Sequence, residues 1–440
     1  VTAPRSARRI ALAAFLVFAF PVAAQQAATP RQVTLADAIQ RAGGVSPQVV
    51  SAQGQLRSAE LDVRSQYWQY IPQLTFPVGA ALNLSSGKSR LDPVTGELIS
   101  GNVTDPSYSL GARASLTIFD GFRRSHDMGA ARAQETAADV GLLNAKMQTT
   151  LSVTNAFFDA LAASEVLTVN EAAVGRAEQQ LRVATARLQS GAGQRTDSLT
   201  ALVQLGQARQ QLLSAQASLA TSEASLGRLI GSDGRVSPLD DPTFYQQPVL
   251  LDTAGVRQEA ILSAPTIRTA EANLVAAKAR LRAQKTGYWP TINLSASSDW
   301  TASKQNDYTL EPRRRLGISL NFSPWTSLQR ETGIENAAIT VDNQIATLAD
   351  QRRQLQSQLT QQYAALGNAR EAIEVAGISV QASDENVRVT EQRYRLGVAT
   401  IFELMQAQEQ KTQAEVNEIQ ARFSYIRAKA QIEALVGRAL

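Results

Sequence analysis

Four stretches of this chain alternate between apolar and polar residues. Leu74, Phe76, Val78, Ala80, Leu82 and Leu84 fall on one side of the first, and Gln73, Thr75, Gly79, Asn83 and Ser85 on the other. Leu110, Ala112, Ala114, Leu116 and Ile118 share a side of the second, Ile292, Leu294 and Ala296 of the third, and Leu316, Ile318, Leu320 and Phe322 of the fourth. A period of two is that of a half-buried strand, so strands are expected at approximately 73–86, 108–119, 291–301 and 314–323. Each is long enough to cross a bilayer at a tilt. Pro77 brings no donor to a ladder, and its tolerance predicts an edge or a bulge.

Between the strand pairs the pattern is helical. The stretches 121–190 and 328–396 contain no proline and consist mostly of Ala, Gln, Leu, Arg, Glu, Ser, Thr and Val. At 1.5 Å per residue, about seventy residues make roughly 100 Å of helix, which requires partners along its whole length. Glycines at 191 and 397 turn each helix back, and shorter helices return to about 230 and 436. A helical segment over 34–71, interrupted near Gly43-Gly44 and Pro47, precedes the first strand, and one opening near 253 and passing Pro265 precedes the third. Such a forward helix and such a returning helix, laid end to end, equal one long helix.

The plan occurs twice. Arg187, Gly191 and Asp197 recur as Arg393, Gly397 and Glu403 at a constant offset of 206, while Pro47 and Pro72 recur as Pro265 and Pro290 at 218. The loop at 87–106 exceeds its counterpart at 305–310 by fourteen residues, so the offset falls to 204 between them. The implied organisation is a first repeat at 25–231, a linker at 232–252 and a second repeat at 253–440. A coiled-coil rod has no use for four amphipathic strands, yet four strands cannot close a barrel, since single-chain barrels need at least about eight. Several chains must share one barrel, and eight, twelve or sixteen strands would mean a dimer, trimer or tetramer.

Composition narrows this further. Arg5, Arg8 and Arg9 precede an apolar run at 10–20 and the small residues Val22-Ala23-Ala24, the plan of a secretory leader expected at 1–24. Removing its three arginines takes the formal charge from +4 to about +1, so no overall field favours nucleic acid. The absence of cysteine fits an exported protein without disulfides. Ser85-Ser86-Gly87-Lys88-Ser89 lacks the first glycine of a phosphate loop, the single His126 has no cysteine partners, and no nucleophile, base and orienting group stand together. No cofactor, metal or enzymatic activity is expected. Tyr67, Trp68, Tyr70, Tyr288 and Trp289 precede the first strand of each pair as in an interfacial belt. Asp120-Gly121 and Ser323-Pro324-Trp325 read as strand-to-helix turns, and Arg313-Arg314-Arg315 is a short basic patch at the outer end of the fourth strand, suited to anionic phosphates.

The leader, the duplicated helix-strand-strand-helix plan, the junction LTIFDGFRR at 116–124 and the two glycine turns together resemble the TolC-like outer membrane efflux protein family. That resemblance covers about 33–437. It implies a mixed α/β membrane protein: a homotrimer with a twelve-stranded transmembrane barrel, four strands per chain, continued by a long α-helical barrel in the periplasm. It further implies a passive channel of a tripartite efflux pump or type I secretion system, partnered by a periplasmic adaptor, an inner-membrane transporter and outer membrane lipids. Arg187, Leu188, Gly191, Arg395, Leu396 and Gly397 match the tips where the adaptor docks. Asp197, Tyr394 and Glu403 match the acids and tyrosine of the periplasmic gate. Gln406 replaces a possible second acid and Ala399 a possible base, which weakens any salt-bridge account of closure. An acid at the start of a returning helix is also favoured locally by the helix dipole. The alternative function is a non-channel periplasmic coiled-coil scaffold or adaptor.

Overall fold

The computed structural model describes residues 31–84, 90–99, 104–245, 255, 260, 262–303 and 307–437. The leader expected at 1–24 and the segment 85–89 lie outside them. Helix α1 (Leu35–Val45) starts at Thr34, whose hydroxyl accepts from the Asp37 N–H at 3.2 Å. The glycine pair does not interrupt it. The break falls on Ser46 alone, because Pro47 excludes the helical conformation at the residue before it while itself fitting the first turn of α2 (Pro47–Trp68).

Helices α3 (Arg123–Gln189) and α4 (Arg195–Leu229) complete the first half, and α5 (Pro265–Lys285), α6 (Gln329–Arg395) and α7 (Ile401–Val436) make the second. Both α3 and α6 have 67 residues. Helices α2 and α4 pack on α3, and α5 and α7 on α6, while α5 and α7 also touch α3. The shorter helices meet end to end at two glycines with positive φ. A Cβ on Gly231 would lie 3.0 Å from Val45 Cγ1, and one on Gly437 would lie 2.9 Å from Pro265 Cδ. Buried alanines such as Ala130, Ala133, Ala137, Ala177 and Ala184 let neighbouring helices approach closely along α3. Larger side chains gather where α1, α3, α4 and α7 converge, around Phe157, Phe158, Leu226 and Phe423. Strands β1 (Arg31–Val33) and β7 (Val236–Pro238) pair in parallel beside this core. The stretch 232–252 therefore contains a paired strand where a plain linker was expected.

The main sheet is built from β2 (Gln73–Thr75), β3 (Val78–Leu84), β6 (Thr104–Phe119), β8 (Thr291–Ala302) and β9 (Glu311–Asn321), with a short β4–β5 pair (Arg90–Leu91, Leu98–Ile99) in the first loop. Strands β2 and β3 line up on one side of β6, and β8 and β9 follow on the other, all antiparallel. Pro77 separates β2 from β3. The register across it is unbroken, with Thr75 opposite Arg113 and Val78 opposite Leu110, so it causes no bulge. Nor does its missing donor face the free edge: the Gly111 N–H donates to the Pro77 carbonyl at 2.8 Å, which directs both Pro77 backbone groups toward β6. The ladder loses a bond there, and Gly111, lacking a side chain, leaves room for the ring. The apolar side of this sheet is bare: Val78 and Leu316 are each 77% exposed, and Leu74, Phe76, Ile318 and Leu320 are exposed with them.

The strand-to-helix joints repeat at offset 206. Gly121 and Phe122 have φ of 67° and 68°, and Ser327 and Leu328 have 50° and 65°. In the second half the reversal thus falls after Ser323-Pro324-Trp325, because proline, with φ fixed near −65°, cannot supply the left-handed pair. An arginine follows each reversal by the same count. Arg124 bonds Asp120 at 2.8 Å, the carbonyls of Gln69 and Ile118 at 3.2 Å, and lies 4.6 Å over the Tyr70 ring. Arg330 bonds Glu331 at 2.7 Å, the Ser323 and Pro324 carbonyls at 3.3 Å, and lies 3.9 Å over Tyr288. The Glu331 carboxyl is held below its ordinary range chiefly by the hydrogen bond from Arg330. These arginines tie strand, helix and aromatic girdle into one joint.

Gly121 also admits Trp289, since a Cβ there would come within 2.7 Å of the Trp289 Cβ. Gly121→Ala is expected to cost at least about 1–3 kcal/mol from backbone strain alone. A lowered urea midpoint of the detergent-solubilised protein, with Gly129→Ala nearly neutral beside it, would bear this out.

Candidate functional site

The two glycine turns lie side by side at the end of the molecule opposite the sheet. Gly191 and Gly397 have φ of 75° and 77°, a conformation in which glycine carries no Cβ penalty. The Gly191 N–H donates to the Leu188 carbonyl at 3.1 Å and the Ala192 N–H to Arg187 at 2.9 Å. The Gly397 N–H donates to Tyr394 at 3.1 Å and the Val398 N–H to Arg393 at 2.9 Å. Each turn satisfies the last carbonyls of a 67-residue helix, as helix-terminating glycines do.

The returning helices begin differently. Thr400 caps α7 in a reciprocal box: its hydroxyl accepts from the Glu403 N–H at 3.2 Å, and the Glu403 carboxylate accepts from the Thr400 N–H at 3.4 Å. Arg393 approaches that carboxylate to 3.9 Å. Helix α4 starts from Gln194 with no side-chain cap. Asp197 occupies the equivalent first-turn station, half-buried and with no side-chain hydrogen bond among the described residues. Gln406 is exposed one turn beyond Glu403.

One side chain joins the two turns. The Arg187 guanidinium lies 4.8 Å over the Tyr394 ring and donates to the Tyr394 and Arg395 carbonyls at 3.2 and 3.3 Å. Those carbonyls are among the last of α6, where a cation is favoured by the helix dipole. Tyr394 is only 4% exposed, packed with Ala184, Ala201, Ala399, Ile401 and Leu404, and its hydroxyl is buried without a hydrogen-bond partner among the described residues. Arg187 and Tyr394 thus meet inside the chain, Leu188 is half-buried beside them, and Arg395 turns outward to pair with Glu391.

Leu396, by contrast, is 79% exposed, and Val398, Phe402 and, on α4, Leu199, Leu202 and Val203 are exposed with it. Sequence reasoning named Leu396 at the docking tip but missed the rest of this apolar cap, Val398, Phe402 and the α4 residues around it, as it missed the roles of Arg124 and Arg330. Its signal was available: Leu396, Val398 and Phe402 flank a glycine turn, where polar residues are the usual choice. Among the described residues no group of three acidic, histidine or cysteine side chains is placed to hold a metal. No helix among them is long and apolar enough to cross a membrane.

Because the Tyr394 hydroxyl is buried and unpaired, Tyr394→Phe is expected to leave stability unchanged or raise it by up to about 1 kcal/mol. Tyr394→Ala should lower it by about 3–5 kcal/mol through the cavity it leaves. Urea titrations of the two variants check this. A Phe variant as damaged as the Ala variant would mean that the hydroxyl has a partner.

Sequence and fold comparisons agree with this arrangement. Residues 38–232 and 256–438 match the family described as Outer membrane efflux protein. The outer membrane efflux protein BepC of Brucella suis is 24% identical over 422 residues, covering 92% of this chain and 85% of that protein. The CmeC outer membrane channel of Campylobacter jejuni superposes with a TM-score of 0.79 at 14% identity, covering 92% and 85% of the two chains. The outer membrane protein VceC of Vibrio cholerae does so with 0.76 at 16% identity, covering 92% and 96%. With both halves of the duplication matched separately and in order, the chain belongs to the outer membrane efflux protein family.

Proposed function

We propose that three copies of this chain close their sheets into one twelve-stranded barrel in the outer membrane, continued by a helical tunnel through the periplasm. As the outer-membrane channel component of a tripartite efflux or secretion system, it conducts passively, and its partners supply both energy and choice of cargo. The observation that carries this reading is the bare apolar face of the sheet together with its two free edges, β2/β3 and β9. Unpaired strand edges are not tolerated in hydrocarbon, so the sheet must be continued. Strand direction alternates from β3 to β9, so β9 of one copy can meet the first strand of the next antiparallel, as an even number of strands per chain requires. Exposed Ile339, Ile345, Val375 and Ile378 along α6 would be covered by the neighbouring copy in the same assembly.

The two repeats, 25–231 and 253–440, then contribute equivalent walls. An adaptor reached through the tips would meet Arg187, Leu188, Gly191, Arg395, Leu396 and Gly397, with the apolar cap supplying contact area. Asp197, Glu403 and Gln406 would line the periplasmic mouth, with Tyr394 behind them packing the turns together. A coiled-coil scaffold that never enters the membrane would leave Leu74, Phe76, Val78, Leu316, Ile318 and Leu320 in water as one continuous patch, which soluble proteins avoid.

Single-channel recording of the purified protein in planar bilayers tests the proposal. Cation-selective pores are expected, with a smaller potassium-over-chloride preference in Glu403→Ala, because three carboxylates at a constriction favour cations. Pores indifferent to that substitution would leave Glu403 with its capping role alone. Membrane-inserted oligomers that never conduct would overturn the duct.

A further inference from the structure

The alternation along β9 divides the run Arg313-Arg314-Arg315 between the two faces of the sheet. Arg314 stands opposite Ser298 on the apolar face, two residues from Leu316, where it can reach the outer headgroups. Arg313 stands opposite Asp299 and Arg315 opposite Ser297, both on the polar face. Asp299 and Ser297 in turn stand opposite Gly111 and Arg113 of β6. Two successive rungs of the polar face therefore read Gly111, Asp299, Arg313 and Arg113, Ser297, Arg315.

Charge on these rungs is unbalanced. The single carboxylate, Asp299, accepts from Arg113 Nε and Nη2 at 3.3 and 3.2 Å. Gly111 keeps the space beside it open, since a Cβ there would lie 2.7 Å from Asp299 Oδ1. Arg313 and Arg315 are exposed and have no carboxylate partner among the described residues. Glu311 lies one rung farther out on the same face, opposite Thr301, and forms no salt bridge with them among the described residues. Adjacent strands are about 4.8 Å apart, so Arg113 and Arg315, two strands apart, stand roughly 10 Å from each other across Ser297. A polyphosphate or polycarboxylate can bridge that distance, and guanidinium groups bind such oxyanions through paired donors.

We infer that these rungs form a binding site for polyvalent oxyanions on the inner wall of the barrel. The inference rests on the trimeric duct proposed above, in which threefold repetition sets nine guanidinium groups against three carboxylates around one aqueous lumen. The screening length at physiological salt is about 8 Å, comparable to the spacing of the groups, so their fields overlap.

The experiment uses the full-length trimer in planar bilayers with tripolyphosphate added separately to each side. Tripolyphosphate on the strand-loop side is expected to block conductance. Arg315→Gln, which breaks no bond among the described residues, and Arg113→Gln/Arg315→Gln should raise the half-blocking concentration by about tenfold or more, the loss expected for charge-assisted hydrogen bonds. Arg314→Gln, on the membrane face, should leave it unchanged. A conducting trimer indifferent to tripolyphosphate, or equal loss of block in Arg314→Gln, overturns the site and leaves the duct standing. A trimer that never conducts overturns the duct, and this inference with it.

Discussion

The backbone of a strand in hydrocarbon has no water to bond, and this constraint organises the whole molecule. The sheet β2/β3, β6, β8 and β9 carries an apolar face yet ends in two open edges, β2/β3 and β9. Those edges are what the proposed ring of copies would pair. In the proposed assembly the helices would keep those edges in register between copies: two 67-residue helices without proline, alanine at the contacts, and shorter helices abutted through Gly231 and Gly437 so that each wall stays continuous. Irregular structure is concentrated at the ends of the helices, where a bend does not disturb the wall.

The joints between sheet and helix carry the second demand. A strand tilted in the membrane must become a helix packed below it within a few residues, and two consecutive left-handed residues make that turn in each half. Such a conformation costs energy at Phe122, Ser327 and Leu328, which are not glycine. Arg124 and Arg330, placed just after the turn, offset it by binding carbonyls that precede it, Ile118 and Ser323, while stacking on Tyr70 and Tyr288. Tyr70 and Tyr288, which precede the first strand of each pair, are thus tied to the joint.

Much of this was legible in the sequence, because period-two alternation and proline-free helices are local signals. The duplication was legible through its glycines and prolines. What escaped is whatever depends on a partner distant in sequence. Pro77 is accommodated by Gly111 across the strand, which no local pattern reveals. The arginine run at 313–315 reads as one patch along the chain and is divided between two environments by the pleat. Arg187 matched a docking position, yet it spans 207 residues to reach the Tyr394 carbonyl. Beside the second glycine turn, Glu403 shows how one residue can satisfy two demands. The capping box fixes its backbone and holds one carboxylate oxygen, Oε1, while the other, Oε2, is the one nearest Arg393.

The charges at the two ends of the chain act differently on a permeating ion. The acids near the glycine turns would sit where three helical hairpins converge, so their field acts over a short constriction that every ion must pass. The arginines of the proposed barrel would line a lumen wide enough for twelve strands, where monovalent ions would pass along the axis at a distance from the wall. Passage in series is governed by its narrowest segment, so in the proposed duct the mouth would set monovalent selectivity even against a basic band above it. The band acts on solutes that carry several charges and can touch two guanidinium groups at once. Cargo leaving through the barrel would therefore meet a second, weaker selection after the gate, one that distinguishes polyanions from other solutes by how long they stay.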